Sequence, residues 1–278
     1  MRVERTVRAL RAALAPERDR RVGFVPTMGA LHEGHLSLLR AARAGCDTVV
    51  ASIFVNPLQF GPREDFGAYP RAEERDLELA RDAGVDVVFA PSTDEMYAPD
   101  HSTSIDVGPL ATVLEGAARP GHFAGVCTVV AKLLNVVAPG VAYFGQKDAQ
   151  QVAVIRRMAR DLSFPVEIAV CPTVRDERGL ALSSRNRYLS DDERAMAAAL
   201  YRCLRAGAAS IEGGGGPADA ERAMERSLAD APGVVAEYAR AVDPETFEEP
   251  GAGRPVLLAV AARVGPARLI DNLPVKGS

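Results

Sequence analysis

Two histidines three residues apart, His32 and His35, fall within PTMGALHEGHLSLLR (26–40), where a β-branched run ends, a glycine turn follows and an apolar-periodic helix begins. The spacing is not that of a zinc-protease HExxH, because Gly34 separates the pair and both sit at the start of the helix. A helix start offers N–H groups and the positive end of a dipole, Gly34 allows close backbone approach, and two imidazoles can donate hydrogen bonds. The ligand chemistry that fits is an anion, with phosphate foremost. The competing reading is a pair of ordinary loop histidines. With four histidines in the chain and two of them at one strand-to-helix turn, the functional reading is favoured.

Other segments add donors. In VNPLQF, Asn56 and Gln59 follow a strand, so neutral amides are available to a polar ligand; for Asn56 a plain Asn-Pro turn is an equal alternative. In FGQKDAQQ, Gly145 ends a strand and Lys147 enters a helix start. Arginine is the default cation here, since Lys132, Lys147 and Lys276 are the only lysines among 33 basic residues, which makes Lys147 less easily a surface filler. LALSSRN offers Ser183, Ser184 and Arg185 as a mobile phosphate clamp. The serines could instead cap the next helix, although Ser190 with Glu193 supplies a nearer capping box. The acidic run AEERD (72–76) reads first as the exposed opening turn of a helix.

The elements that must hold these groups alternate. VGFVPT (22–27), TVVASIFVN (48–56), VDVVFAP (85–91), VAYFGQKD (141–148) and VEIAVCPTV (166–174) read as strands. Between them LSLLRAARAG (36–45), AEERDLELARDAG (72–84), the apolar GVCTVVAKLLNVVAP (125–139) and QQVAVIRRMARDL (150–162) read as helices. This rhythm predicts a Rossmann-like parallel sheet with helices on both faces, whose strand ends carry ligands. Past the polar stretch 175–190 come a helical region (191–212), a GGGGP loop, a helix to about Asp230 and two strand-like segments, 234–243 and 254–265. Two domains are therefore expected: an α/β domain over 1–174 and a smaller α+β lid domain over 175–278. The first 23 residues read as a charged amphipathic helix.

A length of 278 residues suits two ordinary domains, and 47% hydrophobic with 25% charged residues is a globular composition. The net charge of -4 argues against nucleic acid as a partner. Four scattered cysteines form neither a zinc pattern nor a disulfide framework, and no apolar run reaches the roughly 20 residues that span a bilayer. A cytoplasmic protein without membrane attachment is expected.

HEGH resembles the HxGH signature of the nucleotidyltransferase superfamily, and PTMGALHEGH is similar to one family within it, pantothenate synthetase (pantoate–β-alanine ligase). IFVNPLQFGPREDFGAYPR (53–71), RPGHFAGVCTVV (119–130), YFGQKDAQQ (143–151) and LALSSRNRYLS (180–190) match that family in order and spacing. The resemblance implies a ligase that condenses pantoate with β-alanine at the expense of ATP, through a pantoyl adenylate, with AMP and pyrophosphate released. It implies His32, His35, Lys147 and Arg185 as the catalytic set. It gives Gln59, Gln151, Met28 and Asn56 to pantoate, and Met28, His35, Gly145, Lys147, Asp148, Val174, Ser183, Ser184 and Arg185 to ATP. Mg2+ accompanies the nucleotide, with Asp76 as candidate for a water-mediated contact and Glu73 and Glu74 as neighbours that leave the choice open. Arg119 and His122 would lie near the site entrance. Gln146 departs from the family, which more often has Glu there, so no function is carried over to it. A homodimer is implied. Two rivals stand beside this reading: an enzyme that adenylylates a phosphorylated metabolite, which needs more cations at the acceptor pocket, and a nucleotide-binding sensor that has lost the chemistry.

Overall fold

The computed structural model describes residues 1–62, 66–251 and 253–276. Residues 63–65 of the 53–71 segment and the last two of the expected 175–278 domain fall outside them. The chain forms two compact units, Met1–Gly145 with Val154–Cys171, and Gln146–Ala153 with Pro172–Ser278. It thus crosses between units three times, at 145/146, 153/154 and 171/172, where the sequence suggested one boundary near Val174.

The first unit is built on strands β1 (Arg2–Glu4), β2 (Val22–Thr27), β3 (Thr48–Ile53), β4 (Val87–Phe89), β5 (Val141–Gly145) and β6 (Glu167–Cys171). They pair in parallel in the order β1-β4-β3-β2-β5-β6. Helices α1 (Val7–Leu14), α2 (Glu33–Gly45), α3 (Glu73–Asp82), α4 (Thr93–Met96), α5 (Glu115–Ala118), α6 (His122–Val137) and α7 (Ala149–Asp161) connect them. Parallel strands need such crossovers, and strands covered on both faces read as near-continuous apolar runs. Residues 22–25 of β2 and 48–52 of β3 are accordingly buried throughout. Chain order runs outward from β2 through β3 to β4 and then returns to β5 on the other side of β2. The carboxyl ends of β2 and β5 therefore border the topological switch point, the place where open α/β sheets bind ligands.

At the amino terminus the expected single helix is replaced by β1, a turn and α1, with the Thr6 hydroxyl capping α1 by accepting from the Ala9 N–H at 3.1 Å. A three-residue charged strand at a sheet edge carries little periodic signal, and its pairing with Val87–Phe89 decides it.

In the second unit, helices α8 (Asp191–Ala197), α9 (Ala199–Glu212) and α10 (Pro217–Ala229) accompany an antiparallel sheet of β7 (Val234–Val242), β8 (Val256–Val264) and β9 (Ala267–Val275). Ser190 and Glu193 form the expected capping box at the start of α8, with bonds of 3.2 and 2.8 Å. Leu200, Leu204, Met224, Leu258 and Val260 are fully buried together in the core of this unit. β9 has no clear strand signal in the sequence. Its Asp271, Asn272 and Pro274 disguise it, and the two polar residues are tolerated at 3% and 4% exposure because they are satisfied by distant partners.

Candidate active site

The turn that leaves β2 is held from both sides. The Thr27 hydroxyl donates to the Ser52 carbonyl of β3 at 2.6 Å and accepts from the Gly29 N–H at 3.1 Å. Asp76 on α3 takes the next two N–H groups, Ala30 to Oδ2 at 2.8 Å and Leu31 to Oδ1 at 2.7 Å. Gly29 (φ 79°) and Ala30 (φ 51°) are both left-handed, and a Cβ on residue 29 would lie 2.8 Å from Asp76 Oδ2, so glycine is required there. Of the three acidic candidates, Glu73 forms a surface ion pair with Arg5, Glu74 is exposed, and Asp76 is 2% exposed.

His32 is the N-cap of α2 and its Nδ1 accepts from the Gly34 N–H at 3.1 Å. His35 Nδ1 lies 3.4 Å from the His32 N–H and accepts from it, and the two rings are 4.1 Å apart centre to centre. An imidazole nitrogen that accepts bears no proton, so in the neutral ring the proton is on Nε2. Each histidine therefore carries a donor on its Nε2, assigned from the bonding pattern. From the sequence alone the backbone N–H groups of this turn are offered to the anion as well. The structure commits those of Gly29, Ala30, Leu31, His32 and Gly34 to internal acceptors.

Met28 and Gln59 are brought together: Gln59 Nε2 lies 3.2 Å from Met28 Sδ. Asn56 is bonded on every side by the protein itself. Its Nδ2 donates to Gln59 Oε1 at 3.0 Å and to the Gly125 carbonyl at 3.1 Å. Its Oδ1 accepts from the Leu58 N–H at 3.3 Å and the Tyr97 hydroxyl at 2.7 Å. Both donors and both lone pairs are engaged at 1% exposure, and one of these bonds holds the Gln59 side chain. Because Asn56 claims Oε1, Gln59 turns its N–H donors toward Met28. The three-residue 3-10 turn Pro57–Gln59 is also pressed on α6, where a Cβ at Gly125 would meet the Leu58 carbonyl at 2.2 Å.

Arg119 and His122 brace the same residue through its backbone. Arg119 Nη1 lies 2.9 Å from His122 Nε2, and because a guanidinium only donates, the ring proton is on Nδ1, which donates to the Gln59 carbonyl at 2.9 Å. Tyr97, which no sequence motif marked, is buried, and burial pushes its phenol above the ordinary range. Lys132 donates to the Met96 carbonyl and stands 5.5 Å from the Tyr97 ring centre, so one of the three lysines is structural.

In the second unit Lys147 follows a strand end, as expected, and its Nζ lies 3.2 Å from Asp148 Oδ1. The backbone carbonyls of Gln146 and Lys147 both accept from Asn272 Nδ2 at 2.9 Å, and Gln146 Nε2 donates to Asn272 Oδ1 at 2.9 Å. A glutamate at 146 has no donor for that last bond, so the amide of Gln146 serves the turn. Asp271 holds the Asn272 N–H at 2.8 Å and takes a bidentate pair from Arg175 at 2.5 and 2.9 Å. The Arg175 guanidinium lies over the Tyr201 ring at 4.0 Å. Ser183 caps a short 3-10 turn, Ser184–Tyr188, by accepting from the Arg185 N–H at 3.3 Å, while the Val174 carbonyl accepts from the Leu182 N–H at 2.9 Å. Gly145, Asp148, Gln151, Val174, Ser183, Ser184 and Arg185 are all half-buried.

The sequence matches the family model for pantoate-beta-alanine ligase over residues 2–274. It is 54% identical over 278 residues to the pantothenate synthetase of Moorella thermoacetica, covering 98% of both chains. The pantothenate synthetase of Acidobacterium capsulatum is 56% identical over 260 residues, 91% of this chain and 86% of the relative. The crystal structure of pantothenate synthetase from Thermus thermophilus superposes with a TM-score of 0.93 at 53% identity, covering 98% of this chain and 99% of that one. The pantoate-beta-alanine ligase of Francisella tularensis, solved with beta-gamma ATP and beta-alanine, gives 0.81 at 34% identity, covering 98% of this chain and 97% of that one. The fold, the ordered motifs and these likenesses together establish that the chain is a ligase of the pantoate–β-alanine ligase family.

Proposed function

We propose that the protein makes pantothenate from pantoate and β-alanine in two ATP-driven steps. The pantoate carboxylate attacks the α-phosphorus of ATP, forming the pantoyl adenylate as the bond to pyrophosphate breaks. The β-alanine amine then attacks the mixed anhydride, forming the amide and releasing AMP. The attacking carboxylate is itself the nucleophile, so the protein's work is positioning and neutralisation of charge on the departing phosphates. The observation that carries this reading is the histidine pair at the switch point, each ring accepting a backbone N–H of the same turn at its Nδ1, a bond that orients the imidazole.

His32 and His35 serve the phosphates, and Lys147, Ser183, Ser184 and Arg185 supply further donors to them. Gln59, Gln151 and Met28 receive pantoate; Met28, Gly145, Asp148 and Val174 border the nucleotide. Reading β-alanine and ATP as substrates is supported by the Francisella tularensis ligase, whose complex holds beta-gamma ATP and beta-alanine. ATP enters as its magnesium complex. Magnesium is held mainly by phosphates, water and one or two carboxylates. Among the described residues no group of three or more His, Cys, Asp or Glu side chains could hold a metal.

The test is pyrophosphate and AMP release by purified protein with ATP, pantoate and β-alanine, each acid omitted in turn. AMP should require pantoate, and pantothenate should require both acids. His35→Ala and Lys147→Ala should each lose about a hundred- to a thousandfold in rate, or roughly 2.7–4 kcal/mol, as for other charge-stabilising donors. Normal turnover in both variants would remove the phosphate site. Turnover with a phosphorylated acceptor in place of pantoate would favour the rival transferase, against which the neutral Gln59 amide beside Met28 argues. Nucleotide binding without AMP release would favour the sensor. Among the described residues no helix is long and apolar enough to cross a membrane. Sedimentation tests the homodimer that the resemblance implies.

A further inference from the structure

We infer that Asp76 is a positioning residue for catalysis: its carboxylate fixes the turn that aims His32 and His35, and this is its role in place of a water-mediated magnesium contact. The inference rests on the reading of the histidines as phosphate-side donors. A carboxylate at 2% exposure is costly unless its oxygens are engaged, and here each takes one backbone N–H, Ala30 at 2.8 Å and Leu31 at 2.7 Å. The partners lie 46 and 45 residues away in sequence, immediately before His32. Ala30 is held left-handed (φ 51°), a conformation that a residue with a side chain keeps only where its surroundings impose it. Asp76 supplies that imposition from α3, and the Thr27 hydroxyl supplies the matching hold on Gly29. With residues 29–31 fixed, the N-cap at His32 and its reciprocal bond to His35 have one starting direction, and so do the two Nε2 donors.

Asp76→Asn replaces one acceptor oxygen by an amide NH2 facing another N–H, and this shifts the turn without removing bulk. A misplacement of about 1 Å costs about a hundredfold in rate, so kcat should fall by that order. In a His35→Ala background the same substitution should cost several-fold less than in the parent protein, because one of the two groups being aimed is gone. The magnesium concentration for half-maximal rate should stay unchanged. The amide proton signals of Ala30 and Leu31, shifted downfield by the carboxylate, should move upfield. Equal losses in both backgrounds would overturn the inference. A raised magnesium requirement, with rate restored at high magnesium, would also overturn it, in favour of a metal contact. If His35→Ala alone is harmless, the phosphate reading itself has failed, an outcome distinct from either. Thr27→Val, which loosens the turn from its other side, should likewise cost less in the His35→Ala background. It carries the test if Asp76→Asn melts below the assay temperature.

Discussion

Single side chains in this protein divide into those that present donors and those that decide which way a donor points. Gln59 belongs to the first kind, and Asn56, Tyr97 and His122 to the second. Asn56 and Gln59 stand three apart in one motif, and the sequence assigned both to the ligand with a turn as the alternative for Asn56. Four hydrogen bonds separate their roles, two of them to residues 41 and 69 positions away. Burial also sets the protein's response to alkali. The thiols of Cys127 and Cys203 are pushed up to about 12, chiefly by loss of water, with Asp106 and Asp271 adding repulsion in turn. Their folded values lie above the unfolded one, so the protonated fold is favoured below the unfolded value and the advantage is lost as pH rises toward 12. Stability should therefore fall above about pH 9, by at most about 1.4 kcal/mol per pH unit for each thiol. Urea midpoints at pH 8 and 10.5 measure this, and Cys127→Ala should show the shallower dependence.

At the scale of elements, periodicity gave the helices and the buried strands because apolar spacing is a local property. α2, α3, α6 and α7 and the strands β2 to β6 follow the expected segments within a few residues. What periodicity could not convey was close approach between elements. α6 touches the Pro57–Gln59 turn only because residue 125 lacks a side chain, with the Leu58 carbonyl 2.2 Å from where a Cβ would stand. Gly125→Ala must push the turn off the helix, and overpacking of backbone on backbone should cost about 3 kcal/mol. A thermal melt measures the loss, and the KM for pantoate should rise, since Asn56 donates to the Gly125 carbonyl. β1 and β9 are the two strands that local pattern hid. The first is too short and charged, and the second carries buried Asp271 and Asn272, whose partners are 96 and 126 residues distant.

For the whole molecule the consequence is a division that chain order does not mirror. Gln146–Ala153 groups with the carboxyl-terminal unit although it continues directly from β5. Within that unit Tyr201, Arg175, Asp271 and Asn272 form one chain of contacts ending on the backbone of Gln146 and Lys147. Arg175 and Asp271 are a buried pair, with side chains 16% and 2% exposed. Arg175→Met leaves the Asp271 carboxylate buried without its partner, and removal of one member of such a pair costs about 3–5 kcal/mol. Differential scanning calorimetry should show the loss, and hydrogen exchange should place it in β8, β9 and the 146–153 segment. Uniform destabilisation of both units would contradict the assignment of that segment.

By itself the sequence determined the chemistry available and the class of fold. HEGH at a strand-to-helix turn, the Gln59, Lys147 and Gln151 side chains and the Ser183–Arg185 loop are local strings, and the alternation of apolar periods dictates a parallel sheet with covering helices. Tertiary structure decided direction and commitment: that Asp76 faces two backbone N–H groups, that Asn56 is saturated by its neighbours, and that both imidazoles accept backbone N–H groups of the β2–α2 turn at Nδ1. Residue type states what a side chain can bond. Which of those bonds it makes depends on partners that the fold brings from tens of residues away, and hydrogen bonding, unlike hydrophobic patterning, leaves no periodic trace in the chain.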